Sequence, residues 1–340
     1  MEAKKRKYTT KGLPPPPDVS VTTKPMTGLL VDIYGLQELP AAPAPVTCLW
    51  LLHPRRADRA LMHDFARRAV HSWNQKPEQV RGLLALAFDM PNHGTRMVSE
   101  LANLAWDEGN EQHAIDMLGL VKASVGDMSG LMDQVGGYLG RETDAHVCLG
   151  FSLGGHAAWQ AWFGEERIDA AVAVVGCPDL AGLLSSRAAA SKLDCGENGF
   201  LGSKYFPADS VTAVRNRDPK GILFGTGAVP SLPLSAAEQG RLRKILDSRV
   251  RGKKLLLCSG GADDLVPYAK SEPFIRVLTD AASGWYADGG VRVDNRIYEG
   301  VRHVFHADMV NDSVEFLMQV VAEGPRRDKG DDDVESRAKI

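Results

Sequence analysis

Residues 150–154 read Gly-Phe-Ser-Leu-Gly, a Gly-x-Ser-x-Gly pattern centred on Ser152. A short apolar run, HVCLG, leads into it, and the small, helix-compatible Gly155-His156-Ala157-Ala158 follows. That context describes a tight strand-to-helix turn. The glycines remove side chains where strand and helix crowd together, and the turn holds a hydroxyl up at the end of a sheet. A serine hydroxyl is a weak nucleophile alone. It attacks carbonyl carbon when an imidazole takes its proton and a carboxylate orients that imidazole. Further along the chain, Asp263 and Asp264 follow an apolar run and two glycines, and His303 and His306 lie in a loop between a strand pattern and a helix pattern. The ordinary structural role of such aspartates is a turn after a strand, and of such histidines a surface or capping position.

The elements that must position these groups alternate along the chain. Strand patterns occupy Leu29–Tyr34, Val46–Leu52, Gly82–Phe88 and residues 146–150, 168–175, 254–258 and 291–298. Helical patterns occupy about 61–73, 112–140, 155–162 and 307–322. Short continuous apolar strands separated by helices predict βαβ units, with a parallel sheet covered on both faces. Residues 178–249 are the least regular stretch and too long for an ordinary connection, which predicts a lid or functional excursion. Within it, the Gly-, Pro- and aromatic-rich 196–207 and 225–233 are candidates for an acyl-pocket lid.

From about residue 29 to 322 the chain resembles the α/β-hydrolase family. The resemblance rests on Gly150–Gly154, on Asp263-Asp264-Leu265-Val266-Pro267 and on the His303 loop. It implies an α/β-hydrolase fold: a mostly parallel eight-stranded sheet with helices on both faces and a cap-like insertion at 178–249. It also implies a triad in the chain order serine, acid, histidine. The family's acid loop has an Asp, two residues, then Val-Pro, which selects Asp263 and leaves Asp264 as the alternative acid. The family's histidine follows a glycine by a few residues, which selects His303 over His306.

Acyl transfer also needs donors for the developing oxyanion. Leu153, the residue after the nucleophile, supplies one backbone N–H. In the family the other comes from the loop after the third strand, where His-Gly is common. This chain has His53-Pro54 there, and Pro54 has no N–H, so Arg55 becomes the candidate. The Arg55 and Arg56 side chains could attract an anionic substrate group, against the null that they are solvated or pair with Asp58 and Asp64. Residues 89–96 resemble a strand-end turn that is mainly structural in the family, so His93 is read as a buried turn residue. His156 and Trp159 are read as packing residues and Cys177 as an inert thiol. A site built from His53, His93 and Asp89 has no supporting metal-ligand spacing. Neither a metal nor a cofactor is called for. Substrate-binding residues are not assigned.

The chain has 340 residues, 40 Lys+Arg against 43 Asp+Glu, and a formal charge of −3, which argues against a phosphate-reading, nucleic-acid-binding protein. Five scattered cysteines without a Cys-x-x-Cys pair suggest neither a disulfide framework nor a thiolate zinc site. No apolar signal core or run of membrane-spanning length is present. The expectation is an intracellular, cytoplasmic protein. Residues 1–23, with Lys4-Lys5-Arg6-Lys7 and Pro14 to Pro17, and residues 324–340, with Asp331-Asp332-Asp333, read as flexible tails around one catalytic domain at 24–323. The terminal Ala338-Lys339-Ile340 resembles the Ser-Lys-Leu peroxisomal address. The leading expectation is therefore a serine hydrolase cleaving a small-molecule carboxylic ester or thioester. The alternatives are a peroxisomal acyl-coenzyme A thioesterase, an acyltransferase or carbon–carbon hydrolase on the same fold, and a non-catalytic ligand-binding relative. Oligomeric state is not readable.

Overall fold

The computed structural model describes residues 12–39, 44–77, 79–197 and 199–326. The basic cluster Lys4-Lys5-Arg6-Lys7, the acidic Asp331-Asp332-Asp333 and the terminal Ala338-Lys339-Ile340 lie outside them.

Eight strands form one sheet: β1 (Val21–Met26), β2 (Leu29–Tyr34), β3 (Val46–Leu52), β4 (Gly82–Phe88), β5 (Thr143–Phe151), β6 (Ile168–Val174), β7 (Lys254–Gly260) and β8 (Arg292–Tyr298). Their spatial order is β1-β2-β4-β3-β5-β6-β7-β8. The β1–β2 and β2–β4 pairs are antiparallel, and every other pair is parallel.

The central strands are buried on both faces, and their side chains alternate between two cores. Cys48, Trp50 and Leu52 of β3 point to one, while Leu49 and Leu51 point to the other. Leu84, Leu86 and Phe88 of β4 share the first core, and Leu83, Ala85 and Ala87 the second. This is the period-two geometry of a pleated strand covered by helices on both sides. On the second face lie α1 (His63–Asn74) and α10 (Ala307–Glu323), with Phe65, Trp73, Phe316 and Leu317 turned inward. On the first face lie α2 (His113–Met132) and α4 (Leu153–Gly164), with Met117, Val121, Trp159 and Trp162 turned inward. A separate short helix, α3 (Val135–Leu139), follows α2, so the single helical run expected over 112–140 is broken. Gly136 and Gly137 weaken helix there, and Gly140 closes α3 in the left-handed conformation at φ 61°.

The stretch 178–249 differs from the irregular lid expected of it. It is built mainly of helices: α5 (Leu180–Ala190), α6 (Ala208–Arg217), α7 (Pro219–Phe224) and α8 (Ala236–Arg249). Asp179 caps α5 by accepting the Gly182 N–H at 2.9 Å, and Pro219 starts α7. Periodicity is hard to see because α6 buries only Ser210 and Val214, and α8 only Leu242 and Leu246. A further helix, α9 (Glu272–Ser283), precedes β8.

The tail boundaries drawn from composition also shift. β1 begins at Val21, inside the segment read as the N-terminal tail. A polar edge strand that contains Pro25 carries little strand signal. Upstream, Arg68 donates to Pro14 O at 2.7 Å, and Pro14, Pro15 and Pro17 line a groove beside α1 and α10. At the other end, Arg326 N–H binds Asp169 Oδ1 at 3.2 Å, beyond the residue-323 boundary. Among the described residues no helix is long and apolar enough to cross a membrane.

One contact decides where α4 sits. A Cβ on Gly154 would stand 2.1 Å from Leu52 O, a backbone atom that cannot swing away. Gly154→Ala should therefore destabilise the protein by about 1–3 kcal/mol, as overpacking does. Denaturant melts check this, and a midpoint equal to wild type would refute the tight approach.

Candidate active site

Ser152 stands where β5 ends and α4 begins, with φ 58° and ψ −109°. This backbone is sparsely populated for a residue with a side chain. Its neighbours hold it there. Ser152 N–H donates to Val174 O at 2.9 Å, which ties the turn to the end of β6, and Ser152 O accepts the His156 N–H at 3.0 Å. A Cβ on Gly150 would lie 1.9 Å from Gly154 O, and one on Gly155 would lie 2.7 Å from Val174 O. The small residues around the serine are thus demanded by backbone packing against three strand ends.

The Ser152 hydroxyl donates to His303 Nε2 at 2.8 Å, and His303 Nδ1–H donates to Asp263 Oδ2 at 2.8 Å. The other Asp263 oxygen accepts the Leu265 and Val266 N–H groups at 2.8 and 2.9 Å. Burial pushes the Asp263 carboxyl up. The His303 hydrogen bond and charge, with the Val266 and Leu265 N–H groups, outweigh that effect and hold it below the usual carboxylate range.

The loops bearing these two residues are laced together. Gly261 N–H donates to Tyr298 O at 2.8 Å and Ala262 N–H to Val301 O at 2.9 Å. A Cβ on Gly260 would lie 2.5 Å from Val301 O, so the glycine permits this approach. Phe151 stacks on the His303 ring at 6.1 Å between centroids and also packs on Phe305, which fixes the imidazole plane. The two aspartates have opposite fates. The Asp263 side chain is 0% exposed, while that of Asp264 is 76% exposed and pairs with Arg302. His306 caps α10 through the Asp308 N–H and does not join Ser152.

The oxyanion candidates lie on adjoining backbone. Leu153 is the first residue of α4 and is 1% exposed. The contact between Gly154 and Leu52 puts the start of the His53–Arg55 loop beside the serine turn. His53 locks that loop: Nε2 accepts the Met90 N–H at 3.0 Å, and Nδ1–H donates to Pro54 O at 2.9 Å. Asp89 holds the neighbouring turn by accepting from Arg59 and Thr95, and His93 donates to Pro91 O at 2.8 Å. Among the described residues no cluster of metal-ligating side chains occurs.

Arg55 and Arg56 do not pair with Asp58 and Asp64. Asp58 caps a 3₁₀ turn through the Ala60 N–H, and Asp64 binds Arg68. Arg56 pairs with Glu108 at 2.8 Å, whereas Arg55 brings Nη1 to 3.2 Å from His113 Nδ1. His113 Nδ1–H donates to Leu104 O at 2.8 Å, and burial with nearby Arg55 pulls the imidazole down to about 3. His156 packs as expected: Nδ1 accepts the Cys177 N–H at 3.0 Å, and burial pushes the Cys177 thiol up to about 12. Arg187 on α5, which sequence reasoning missed, donates to Leu265 O at 2.8 Å. Its one signal was being the sole charge in Leu180–Ala190. Trp106 also went unnoticed. It packs edge-on against His113 at 4.9 Å and faces Phe200 and Tyr205.

No family model and no curated protein matches this chain by sequence. Solved structures do match by shape. A Thermus thermophilus protein, TT1662, aligns over 89% of this chain and 99% of its own, with TM-score 0.53 and 16% identity. Puromycin hydrolase aligns over 90% of this chain with TM-score 0.55 and 15% identity, and this chain spans 39% of its length. An S-formylglutathione hydrolase from Agrobacterium tumefaciens aligns over 88% of this chain and 94% of its own, with TM-score 0.50 and 16% identity. At such identities the likeness establishes a shared fold.

The depressed Asp263 carboxyl has a definite pH signature. Its stabilising contacts are complete above the unfolded carboxylate range and are lost as pH falls through the folded value. The difference in melting temperature between wild type and Asp263→Asn should therefore narrow between about pH 5 and pH 2. A constant difference across that range would contradict the contact.

Proposed function

We propose that this chain, whose fold is that of the α/β-hydrolases, is a serine hydrolase that cleaves a carboxylic ester or thioester through an acyl-enzyme. The observation that carries the reading is the run of two 2.8 Å contacts from Ser152 Oγ through His303 to the buried Asp263. His303 Nε2 takes the hydroxyl proton as Oγ bonds to the carbonyl carbon. Asp263 stabilises the imidazolium that forms. The oxyanion is received by the N–H groups of Leu153 and Arg55. Leu153 supports this role because an N–H in the first turn of a helix has no partner within that helix, and Arg55 because its N–H is the first after Pro54. His303 then passes the proton to the departing alcohol or thiol. In the second half, water repeats the sequence and releases the acid.

The solvent-facing position of Asp264 supports Asp263 as the acid. Wild-type protein should be labelled at Ser152 by a fluorophosphonate probe, and Ser152→Ala should not. Equal labelling of the two would sink the assignment. His303→Ala and Asp263→Asn should each lower kcat by about 10³-fold or more, while Asp264→Asn leaves it within about twofold. A loss confined to Asp264→Asn would transfer the acid role to that residue. Parallel assays with p-nitrophenyl esters of rising chain length and with acyl-coenzyme A thioesters distinguish the ester and thioester forms of the proposal.

A further inference from the structure

Two arginines act on each other near the acid loop, Arg55 from the loop after β3 and Arg187 from α5, and among the described residues neither has a carboxylate hydrogen-bonded to it. Arg55 extends from the loop after β3 to His113. That imidazole already donates its Nδ1–H to Leu104 O, so its Nδ1 has no lone pair to offer the guanidinium. Arg187 reaches from α5 to the acid loop, where Nη2 donates to Leu265 O at 2.8 Å. Its Nε is buried with no hydrogen-bond partner. Leu265 is itself the residue whose N–H binds Asp263 Oδ1, so Arg187 is anchored on the backbone that holds the acid.

Several partly buried arginines elsewhere in the molecule have carboxylates. Arg59 lies between Asp32 and Asp89, Arg81 meets Asp144, and Arg167 meets Glu165. A guanidinium taken out of water without a counter-charge is costly, and two near each other cost more because they repel. Burial and then the charge of Arg55 pull Arg187 down to about 10, and burial pulls Arg55 down as well.

The remaining charges nearby do not cancel them. Glu108 attracts Arg55 but is held by Arg56, and Asp107 is exposed. Asp263 attracts Arg187, but its oxygens are engaged by His303, Leu265 and Val266. His113 and His156 are both neutral at pH 7. With solvent-exposed Asp107 left aside, two positive charges face the one buried carboxylate of Asp263, a deficit of one negative charge.

We infer that Arg55 and Arg187 form a carboxylate-binding subsite next to Ser152, and that the substrate is an ester or thioester carrying one free carboxylate. A guanidinium presents parallel N–H donors that match a planar carboxylate, and a single negative charge completes the balance. Trp106, packed on His113 and facing Phe200 and Tyr205, provides an apolar wall beside the charged pair for the carbon chain. The chemistry is that of the proposed hydrolase, on which this inference rests. Oγ bonds to the carbonyl, the alcohol or thiol leaves with the proton from His303, and water releases a dicarboxylate when the free carboxylate is on the acyl side.

The test compares kcat/KM for p-nitrophenyl hydrogen glutarate with that for p-nitrophenyl valerate, its neutral match. A second pair, 4-acetoxybenzoate and 4-acetoxybenzamide, puts the carboxylate on the leaving-group side. In one pair the anionic member should be preferred by about tenfold or more, and Arg187→Gln and Arg55→Gln should each collapse that ratio. A second readout needs no turnover. Glutarate should raise the melting temperature of Ser152→Ala protein, and adding Arg187→Gln or Arg55→Gln should remove the rise. If Arg187→Gln does not fold, Arg55→Gln carries both readouts. Ser152 labelling with no anionic preference and no glutarate shift overturns the subsite and leaves the hydrolase standing. A glutarate shift that depends on the arginines, in protein whose Ser152 is not labelled, supports the subsite and overturns the hydrolase.

Discussion

The structure depends on the backbone of Ser152. Holding a serine at φ 58° costs on the order of 1–3 kcal/mol, and it persists only where its surroundings over-determine it. Here the determination is mutual. The N-terminus of α4 lies against Leu52 O through Gly154 and against Val174 O through Gly155, and Gly150 lets the strand pass under the helix. Gly176, on the chain leaving β6, meets Gly155 backbone to backbone. Three strand ends therefore clamp one helix start. The clamp also aims the helix N-terminus at the hydroxyl, where its unshared N–H groups favour negative charge. The same packing that strains the serine sets the free N–H groups of the first turn of α4 beside it.

A second constraint follows from the first. The hydroxyl is useful only if an imidazole stays within hydrogen-bond reach, and His303 lies in a loop that could wander. Two backbone hydrogen bonds to the acid loop, permitted by Gly260, prevent this. The stack on Phe151, itself the residue before the serine, adds a third restraint. Ser152, His303 and Asp263 thus share supports, so a change at one loop is felt at all three. Their electrostatics divide cleanly. Asp263 keeps its charge through His303 and two N–H groups, while burial keeps His113 and His156 neutral. His303 meets a buried carboxylate.

What could be read from the chain followed from burial on both sides. β3 and β4 lie where continuous apolar runs place them, because a strand covered by helices has no polar face to blur it, and β2 lies where alternation places it. Ser152 and Asp263 were legible for a related reason, since each follows a strand end marked by glycines that backbone crowding requires, whereas Gly300 before His303 has open space around it and is there for its positive φ of 69°. β1 was not legible, being a polar edge strand, and neither were α6 and α8, whose two inward residues each leave no strong period. Arg187 illustrates the harder limit. Its place beside the acid loop comes from packing an insertion onto a distant loop, and nothing within Leu180–Ala190 encodes that partner.

Arg55 and Arg56 show how one torsion separates two identical side chains. Both follow Pro54, and composition cannot rank them. In the structure Arg56 takes φ 64°, a left-handed conformation in which the chain turns sharply. That turn sends its guanidinium outward to Glu108, where water and a carboxylate share the charge. Arg55, just before the turn, stays against His113 on the inner side. The loop is rigid enough to enforce this because His53 ties it to Met90 and Asp89 braces the next turn. The overall charge of −3 is consequently a poor guide to the crevice. A backbone torsion, not the composition, decides that one positive charge is retained against His113 while its neighbour is neutralised at the surface.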